Sequence, residues 1–162
     1  MSFLFESFSG WKKYAEEQSL SLVDVVLEYE VSQKGATQEQ IWQGLQKAYQ
    51  VMKDAVKTGL EEEMNSHSGM IRSGAKKVYN HPLTVLSPEF QRLISRALAA
   101  KEVNSCMGRV VAAPTAGASG ILPGTLVTLQ EIHGLSDAKI CEGLLIGAGI
   151  ALIIEQKASL AG

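Results

Sequence analysis

Start and stop signals for α-helices recur along this sequence, and they limit its fold more than any other feature does. Capping boxes stand at positions 21 and 24 and at positions 37 and 40, and a serine followed by proline marks another start at 87 and 88. Apolar residues at helical spacing follow each start. No segment alternates apolar and polar residues for long enough to predict a strand. The sequence therefore predicts an all-α fold, in a single helical domain over residues 1–162.

The first half of the chain contains signals for three longer helices and a short one. An amphipathic helix is predicted within residues 1–17, a second helix ends at Gly35, and a third, the longest, ends at Gly59. A polar stretch from 61 to 82 surrounds a short helix that ends at His81, directly before a proline.

The second half predicts three more helices. The helix after position 87 carries an apolar face for which we expect burial, made of Phe90, Leu93, Ile94, Ala97 and Leu98. The next helix runs from near Pro123 to His133 and stops at Gly134. Ser136 caps the last helix.

The last helix is apolar on every side between Ile140 and Ile154. This stretch of about 15 residues is too short to span a bilayer, which needs about 20. Gly143, Gly147 and Ala151 recur every fourth residue, a row that lets another helix approach closely. We therefore expect a central helix, and, because the sequence stops soon after it, a chain truncated from a longer protein. Apolar surface left uncovered on such a helix favours a homo-oligomer.

Charge and cysteine usage exclude several partners and compartments. The formal net charge is -2, and no basic stripe is present for binding a nucleic acid backbone. Cys106 and Cys141 stand outside any CxxC pattern, which favours a reducing compartment over a disulfide framework. The N-terminus lacks a secretion signal pattern. We expect a cytoplasmic protein that binds neither nucleic acid nor a membrane.

The uncharged run VVAAPTAGASGILPGT, residues 110–125, is the strongest candidate for a binding site. It lacks the lysine of a P-loop and the spacing of a dinucleotide-binding loop. It offers backbone N–H groups from 117 to 120, the hydroxyls of Thr115 and Ser119, and the N-terminus of the next helix. Such a loop suits a small carboxylate or phosphate. The alternative is a tight connection between two buried helices, in which glycine only permits close packing.

Other titratable residues give weaker signals. His67, His81 and His133 do not have the spacing of a zinc site, so we expect no metal site from them. Cys106 and Cys141 are interpreted as inert, largely apolar residues. The three consecutive glutamates at 61 to 63 indicate a solvated surface.

The run EVNSCMGRVVAAPTAGASGILPGTL, residues 102–126, strongly resembles the corresponding run in the α chain of the iron–sulfur-dependent L-serine dehydratases. That family's pattern is close to EVN, then MG, then PTAG, then a further glycine and PG. The segments LSLVDVVLEYEV, MKDAVKTGLE and IGAGIALIIEQKASLAG resemble the family's helices, so the likeness covers nearly the whole chain. The resemblance implies the N-terminal part of a dehydratase α chain.

The resemblance also implies an activity, a cofactor and partners. Enzymes of this family convert L-serine to pyruvate and ammonia with a 4Fe-4S cluster held by cysteines. Those cysteines belong to motifs beyond Gly162, and neither Cys106 nor Cys141 matches one. The chain is therefore expected to hold no cluster and to be inactive alone. Because the sequence begins at Met1, it resembles the two-chain type, which implies a separate β chain and a second copy of this chain.

Finally, the resemblance places substrate-binding residues on this chain. The candidate residues are Asn104, Thr115, Ala116, Gly117, Ser119, Gly120, Ser68 and Arg72, the last of which lies where this sequence departs from the family pattern. Asn104 either hydrogen-bonds the substrate or the loop, or caps its helix. Arg72 either pairs with a carboxylate or is a surface arginine.

Two alternatives to an L-serine dehydratase stay open. Residues 71–74 read Ile-Arg-Ser-Gly where the family has Thr-Gly-Gly-Asp, which favours cysteine or another small amino acid as a rival substrate. The second alternative is a non-catalytic helical module that binds a small amino acid or an anion. No residue is assigned as the catalytic base.

Overall fold

The structure is a computed structural model, and it describes residues 6–81, 84–113 and 115–158. Within these residues lie seven α-helices: α1 (Phe8–Gln18), α2 (Leu22–Lys34), α3 (Gln38–Glu61), α4 (Gly74–Asn80), α5 (Pro88–Ser105), α6 (Ile121–His133) and α7 (Asp137–Glu155). A 3₁₀ turn, Ala116–Ala118, precedes α6. Extended pairing in the described residues is limited to one antiparallel bridge between Asn65 and Arg72. The prediction of an all-α fold is confirmed.

Side-chain caps begin the helices where the sequence signals stand. Ser21 Oγ accepts from Asp24 N at 3.1 Å, and the Asp24 carboxylate accepts from Ser21 N at 3.2 Å. The box at positions 37 and 40 forms in the same way. Ser87 Oγ accepts from Phe90 N, with Pro88 in the first turn of α5. These bonds satisfy N–H groups that the first turn of a helix leaves without partners.

Helix ends follow the predictions less closely. Gly35 and Gly134 end α2 and α6 in the left-handed conformation, with φ of 61° and 60°. The prediction that Gly59 ends α3 is wrong, because α3 continues to Glu61. Gly59 is buried inside the helix, where a Cβ would lie 2.6 Å from the carbonyl carbon of Ala99. This glycine lets the backbones of α3 and α5 touch.

Replacing Gly59 by alanine is expected to lower the free energy of unfolding by about 1–3 kcal/mol, since the new Cβ overlaps backbone atoms that cannot rotate away. Gly44 in the same helix is the matched control, because a Cβ there meets no atom within 4 Å. Gly44→Ala should raise stability by about 0.5–1 kcal/mol through helix propensity. Urea unfolding followed by circular dichroism measures both changes. Equal effects of the two substitutions would contradict the close contact.

The starts of two helices also differ from the predictions, whereas the short helix ends at His81 as predicted. The first helix begins at Phe8, and residues 1–5, which the prediction includes, lie outside the described residues. The helix predicted to start near Pro123 starts earlier, at Ile121. Thr115 and the 3₁₀ turn lead directly into it, so the Gly-rich run is shorter and more ordered than the sequence indicates.

The contacts divide the chain into two compact units, residues 1–46 with 138–162 and residues 47–137. The first unit has a core around Trp11, Val26 and Leu145, contributed by α1, α2 and α7. Gly149 of α7 packs against two of these, since a Cβ there would lie 2.6 Å from Trp11 and 2.8 Å from Val26. The single-domain expectation for residues 1–162 stays a prediction.

The close packing predicted for the small-residue row of α7 occurs at another glycine. Gly143, Gly147 and Ala151 are exposed, and a Cβ on either glycine meets no atom of the described residues within 4 Å. The tight contact is made by Gly149. Among the described residues, no helix has the length and apolar character that a membrane crossing needs.

In the second unit, α5 packs against α4 and α6. Arg96 of α5 is 5% exposed and reaches two residues of α6: it donates to Thr128 Oγ1 at 3.1 Å and pairs with Glu131. The other carboxylate oxygen of Glu131 accepts from Arg92 at 2.6 Å. A buried guanidinium with these partners joins α5 to α6 firmly, because leaving it unpaired would be costly.

The predicted buried face of α5 is wrong. Phe90 and Leu98 are 52% and 39% exposed, and Leu93, Ile94 and Ala97 are half-buried. The buried side of the helix consists of Gln91, Ser95, Arg96, Ala99, Ala100, Glu102 and Val103. Three of its polar members reach other helices: Gln91 Nε2 donates to the carbonyl of Val78 at 2.6 Å, and Arg96 and Glu102 also bond residues outside α5. Tertiary hydrogen bonds of this kind outweigh the apolar pattern.

Candidate functional site

The Gly-rich loop begins as a capped turn. Thr115 is extended, and its Oγ1 accepts from Ala118 N at 3.2 Å, which caps the 3₁₀ turn. Ser119 N then donates to the carbonyl of Ala116 at 3.3 Å. Thr115, Ala116 and Gly117 are exposed, whereas Ser119 and Gly120 are buried. The exposed half of the loop, residues 115–117, is therefore the part that a ligand reaches from solvent.

Two side chains of α5 hold this loop from one side. Asn104 Nδ2 donates to the carbonyl of Ala116 at 3.0 Å, and Lys101 Nζ donates to the carbonyl of Gly117 at 3.2 Å. The two residues lie one turn apart on the helix and bond consecutive carbonyls of the loop. Of the alternatives for Asn104, contact with the loop is realised, and Cys106 takes the C-cap position.

Glycines bring the loop and α6 directly onto the backbone of α5. A Cβ on Gly120 would overlap the carbonyl oxygen of Ala97, and a Cβ on Gly124 would lie 2.6 Å from Ala97 N. Ser119 between them is fully buried, and its Oγ has no hydrogen-bond partner within the described part of the chain. The alternative interpretation of these glycines, close packing of helices, thus holds for Gly120 and Gly124. Gly117, in contrast, has no such contact with the backbone of α5 in the described residues.

An open cleft of about 290 Å³ lies beside the loop. Its lining comes from the apolar side of α5 that was predicted to be buried, from the loop and from the start of α6. The lining residues are Leu93, Ile94, Ala97, Leu98, Lys101, Gly117, Gly120 and Ile121. This volume is near the lower end of the range for small-molecule sites, so a ligand that fits the cleft has few atoms. The walls are apolar, and among the described residues of the lining Lys101 alone is charged.

The polar loop that carries Ser68 and Arg72 folds on itself. Ser66 Oγ accepts from Ile71 N at 3.0 Å, and Ser68 Oγ lies 3.2 Å from Ser66 Oγ. Arg72 is exposed, and its Nε donates to the carbonyl of Gly69 at 3.0 Å. Within the described residues, no hydrogen bond of Ser68 or Arg72 reaches the Gly-rich loop. The structure brings Asn104 to residues 115–120 but leaves Ser68 and Arg72 in a separate turn.

The end of this polar loop is fastened to its neighbours. Ser73 Oγ accepts from Met64 N at 2.8 Å and donates to Glu63 at 3.1 Å. Lys76 Nζ donates to the other carboxylate oxygen of Glu63 at 3.1 Å. The hydrogen bonds from Lys76 and then Ser73 hold the pKa of Glu63 below its ordinary value. Residues 63–73 therefore form an ordered turn before α4, fastened to it through Lys76.

Lys101 and Glu102 are two residues whose contacts the sequence does not reveal. Glu102 is buried, and its Oε1 accepts from Ala75 N at 3.1 Å, which ties the start of α4 to α5. Lys101 precedes Asn104 by three positions, so both face the same side of a helix. Once Asn104 is known to contact the loop, this spacing therefore predicts that Lys101 lies near the loop as well.

The cysteines and histidines do not assemble into a metal site in the described part of the chain. No group of three or more His, Cys, Asp or Glu side chains there is arranged to hold a metal ion. Cys106 is half-buried at the end of α5, and Cys141 is buried in α7. A 4Fe-4S cluster needs more cysteine ligands than this chain contains, so the residues present do not fit that group.

Comparison with known proteins identifies the family. A family model described as "Serine dehydratase alpha chain" matches residues 17–162. The "L-serine dehydratase, alpha chain" of Peptoniphilus asaccharolyticus is 32% identical over 149 residues, 90% of this chain and 51% of that protein. The "Probable L-serine dehydratase, alpha chain" of Bacillus subtilis (strain 168) is 27% identical over 162 residues, 98% of this chain and 54% of that protein.

A third relative is the "L-serine dehydratase" of Haemophilus influenzae, 31% identical over 159 residues, 93% of this chain and 34% of that protein. The chain thus spans about half the length of the two curated alpha-chain relatives described above. No solved structure gives a significant match. The family model covers far more than half of the sequence, and this chain belongs to the serine dehydratase alpha chain family.

Proposed function

We propose that this chain contributes the substrate-binding loop of an L-serine dehydratase, which converts L-serine to pyruvate and ammonia. The observation that carries the proposal is the pair of hydrogen bonds from Asn104 and Lys101 to the carbonyls of Ala116 and Gly117. They fix an exposed turn beside a cleft of small-molecule size. The names of the relatives, each an L-serine dehydratase, supply the substrate.

The loop's part in this reaction is to bind and orient the carboxylate of L-serine. The first N–H groups of a 3₁₀ turn have no partner inside the turn, so they are suited to donate hydrogen bonds to an anion. Thr115 adds an exposed hydroxyl next to them. Holding the carboxylate fixes the direction of the Cα–H bond and of the β-hydroxyl. The proton from Cα and the hydroxyl are then lost as one water molecule. The aminoacrylate that remains takes up water and yields pyruvate and ammonia.

Three further parts of the proposal concern what completes the enzyme. We place the ligands of a 4Fe-4S cluster outside this chain, because Cys106 and Cys141 do not fit that group. A β chain and a second copy of this chain are the proposed protein partners, and the free cysteines support a cytoplasmic location. The chain alone is expected to be inactive, since it spans about half of the alpha-chain relatives.

A second candidate function is the same elimination on L-cysteine or another small amino acid. The observation that favours it is Arg72, which stands in the Ile-Arg-Ser-Gly segment with its guanidinium on the carbonyl of Gly69. Compared with the family's Thr-Gly-Gly-Asp, this segment lacks a carboxylate and gains a guanidinium, and such a change of charge would alter which side chain a neighbouring site selects.

Steady-state kinetics of the complete enzyme tests the proposal. The chain is completed with its missing portion and a β chain, loaded with iron and sulfide without oxygen, and supplied with L-serine or L-cysteine. Pyruvate formation from L-serine with the higher kcat/KM is expected, together with no pyruvate from this chain alone. Faster turnover of L-cysteine would favour the second candidate. Tight binding of an amino acid without turnover would favour a non-catalytic binding module.

A further inference from the structure

The Gly-rich loop contains no charged residue, but α5 brings a cation to it. Lys101 is half-buried, its Nζ donates to the carbonyl of Gly117 at 3.2 Å, and it lines the cleft together with Gly117 and Gly120. An ammonium group carries three donors, and the carbonyl of Gly117 uses one of them. The other two donors are available to a ligand in the cleft.

Within the described part of the chain, no acidic side chain forms an ion pair with Lys101. The ion pairs found in the described residues are formed by other lysines and by Arg92 and Arg96. Its ammonium group therefore has no carboxylate partner within the described residues that a ligand would have to displace. Around it stand Leu98, 39% exposed, and Ile121, 65% exposed, which line the same cleft. Apolar walls reduce screening by water and strengthen the attraction of an anion.

We propose that Lys101 binds the carboxylate of the substrate at the Gly-rich loop, an inference that rests on the proposed function. Its hydrogen bond to Gly117 keeps the ammonium over the loop, so that the carboxylate meets the charge and the loop backbone together. Asn104 differs, since its amide is bonded to the carbonyl of Ala116 and acts through the loop. Lys101 is thus a binding residue, and Asn104 is a positioning residue.

Three substitutions separate charge from support of the loop. Lys101→Met removes both the charge and the hydrogen bond, Lys101→Gln keeps a donor without charge, and Lys101→Arg keeps the charge. In the complete enzyme, methionine and glutamine should each raise the KM for L-serine about 10-fold, the effect of losing one partly exposed ion pair. The value of kcat should stay within about 3-fold, and arginine should retain most of the affinity.

Salt and a distant lysine supply controls. Raising the salt concentration should increase the KM of the wild-type enzyme but leave that of Lys101→Met nearly unchanged, because only the former has a charge to screen. Lys57 in α3, 70% exposed, is the matched control, and Lys57→Met should keep the wild-type KM. Calorimetric titration with L-serine gives the same comparison as dissociation constants, independently of turnover.

The outcomes distinguish this inference from the proposed function. Wild-type KM in Lys101→Gln would overturn it, because the residue would then act only by supporting the loop. A fall in kcat with unchanged KM would also overturn it. If the wild-type enzyme forms no pyruvate from L-serine, the proposed function fails. The calorimetric titration then decides whether the inference fails with it. Equal binding of L-serine by the wild type and Lys101→Met, or binding by neither, overturns the inference as well.

Discussion

Replacing Gly120 by alanine is expected to reduce L-serine dehydration by the complete enzyme about 100-fold, the effect of misplacing a substrate-positioning group by about 1 Å. The new Cβ would overlap the carbonyl oxygen of Ala97 and lie 3.2 Å from its carbonyl carbon. Both are backbone atoms of α5, so the loop itself must move away. That movement also stretches the bonds from Asn104 and Lys101 to the loop. Steady-state pyruvate formation measures the loss.

Gly44→Ala is the control for this experiment, because a Cβ on Gly44 meets no atom of the described residues within 4 Å and the residue lies in α3, outside the loop. It should leave kcat/KM unchanged. Circular dichroism establishes the folded fraction of Gly120→Ala, against which the activity is corrected. Wild-type activity in Gly120→Ala would show that the contact of the loop with α5 does not position the substrate.

The second large effect is expected at Arg96. Truncation to alanine should lower the free energy of unfolding by about 3 kcal/mol, because the buried guanidinium that joins α5 to α6 is lost and its partners are left unpaired. Those partners are Thr128 Oγ1 and one carboxylate oxygen of Glu131. Urea unfolding at neutral pH measures the difference.

Arg92 is the matched control, since it bonds the other oxygen of the same carboxylate but is 49% exposed. Arg92→Ala should cost less than about 1 kcal/mol, as exposed ion pairs do. A loss in Arg92→Ala as large as that in Arg96→Ala would contradict the importance of burial.

The contribution of Glu131 should depend on pH. The hydrogen bond from Arg96 is the largest cause that holds the pKa of Glu131 below its ordinary value of 4.5. A carboxyl group with a lowered pKa in the folded state stabilises the fold above its ordinary pKa, and this stabilisation is lost as the pH falls through the lowered value. The difference in stability between wild type and Arg96→Ala should therefore shrink in acid.

Much of the helical architecture follows from local signals in the sequence. The capping boxes at positions 21 and 24 and at 37 and 40 involve residues three apart, so a short segment determines them. The stops at Gly35 and Gly134 are local in the same sense, because each requires only a left-handed backbone. Such signals need no knowledge of the tertiary structure.

The errors arise where tertiary contacts decide. Glycine commonly ends a helix, yet Gly59 lies inside α3, where its contact with Ala99 of α5 requires a residue without a side chain. The apolar stripe of α5 predicts burial, but the partners of Arg96 and Glu102 on α6 and α4 turn the polar side inward. The stripe then lines the cleft beside the loop. Lys101 also contacts the loop, at Gly117, which its spacing from Asn104 indicates only once the contact of Asn104 with the loop is known.

Hydrogen–deuterium exchange of the complete enzyme, with and without L-serine, tests the central claim most directly, namely that residues 115–120 hold the substrate. The account predicts that saturating L-serine slows exchange of the loop amides at 116–120 about 10-fold or more, while the amides of α1 are unchanged. The amides of Lys101 and Asn104 lie inside α5 and serve as an internal reference for the helix. Unchanged exchange at 116–120, with protection elsewhere in the enzyme, would contradict the account.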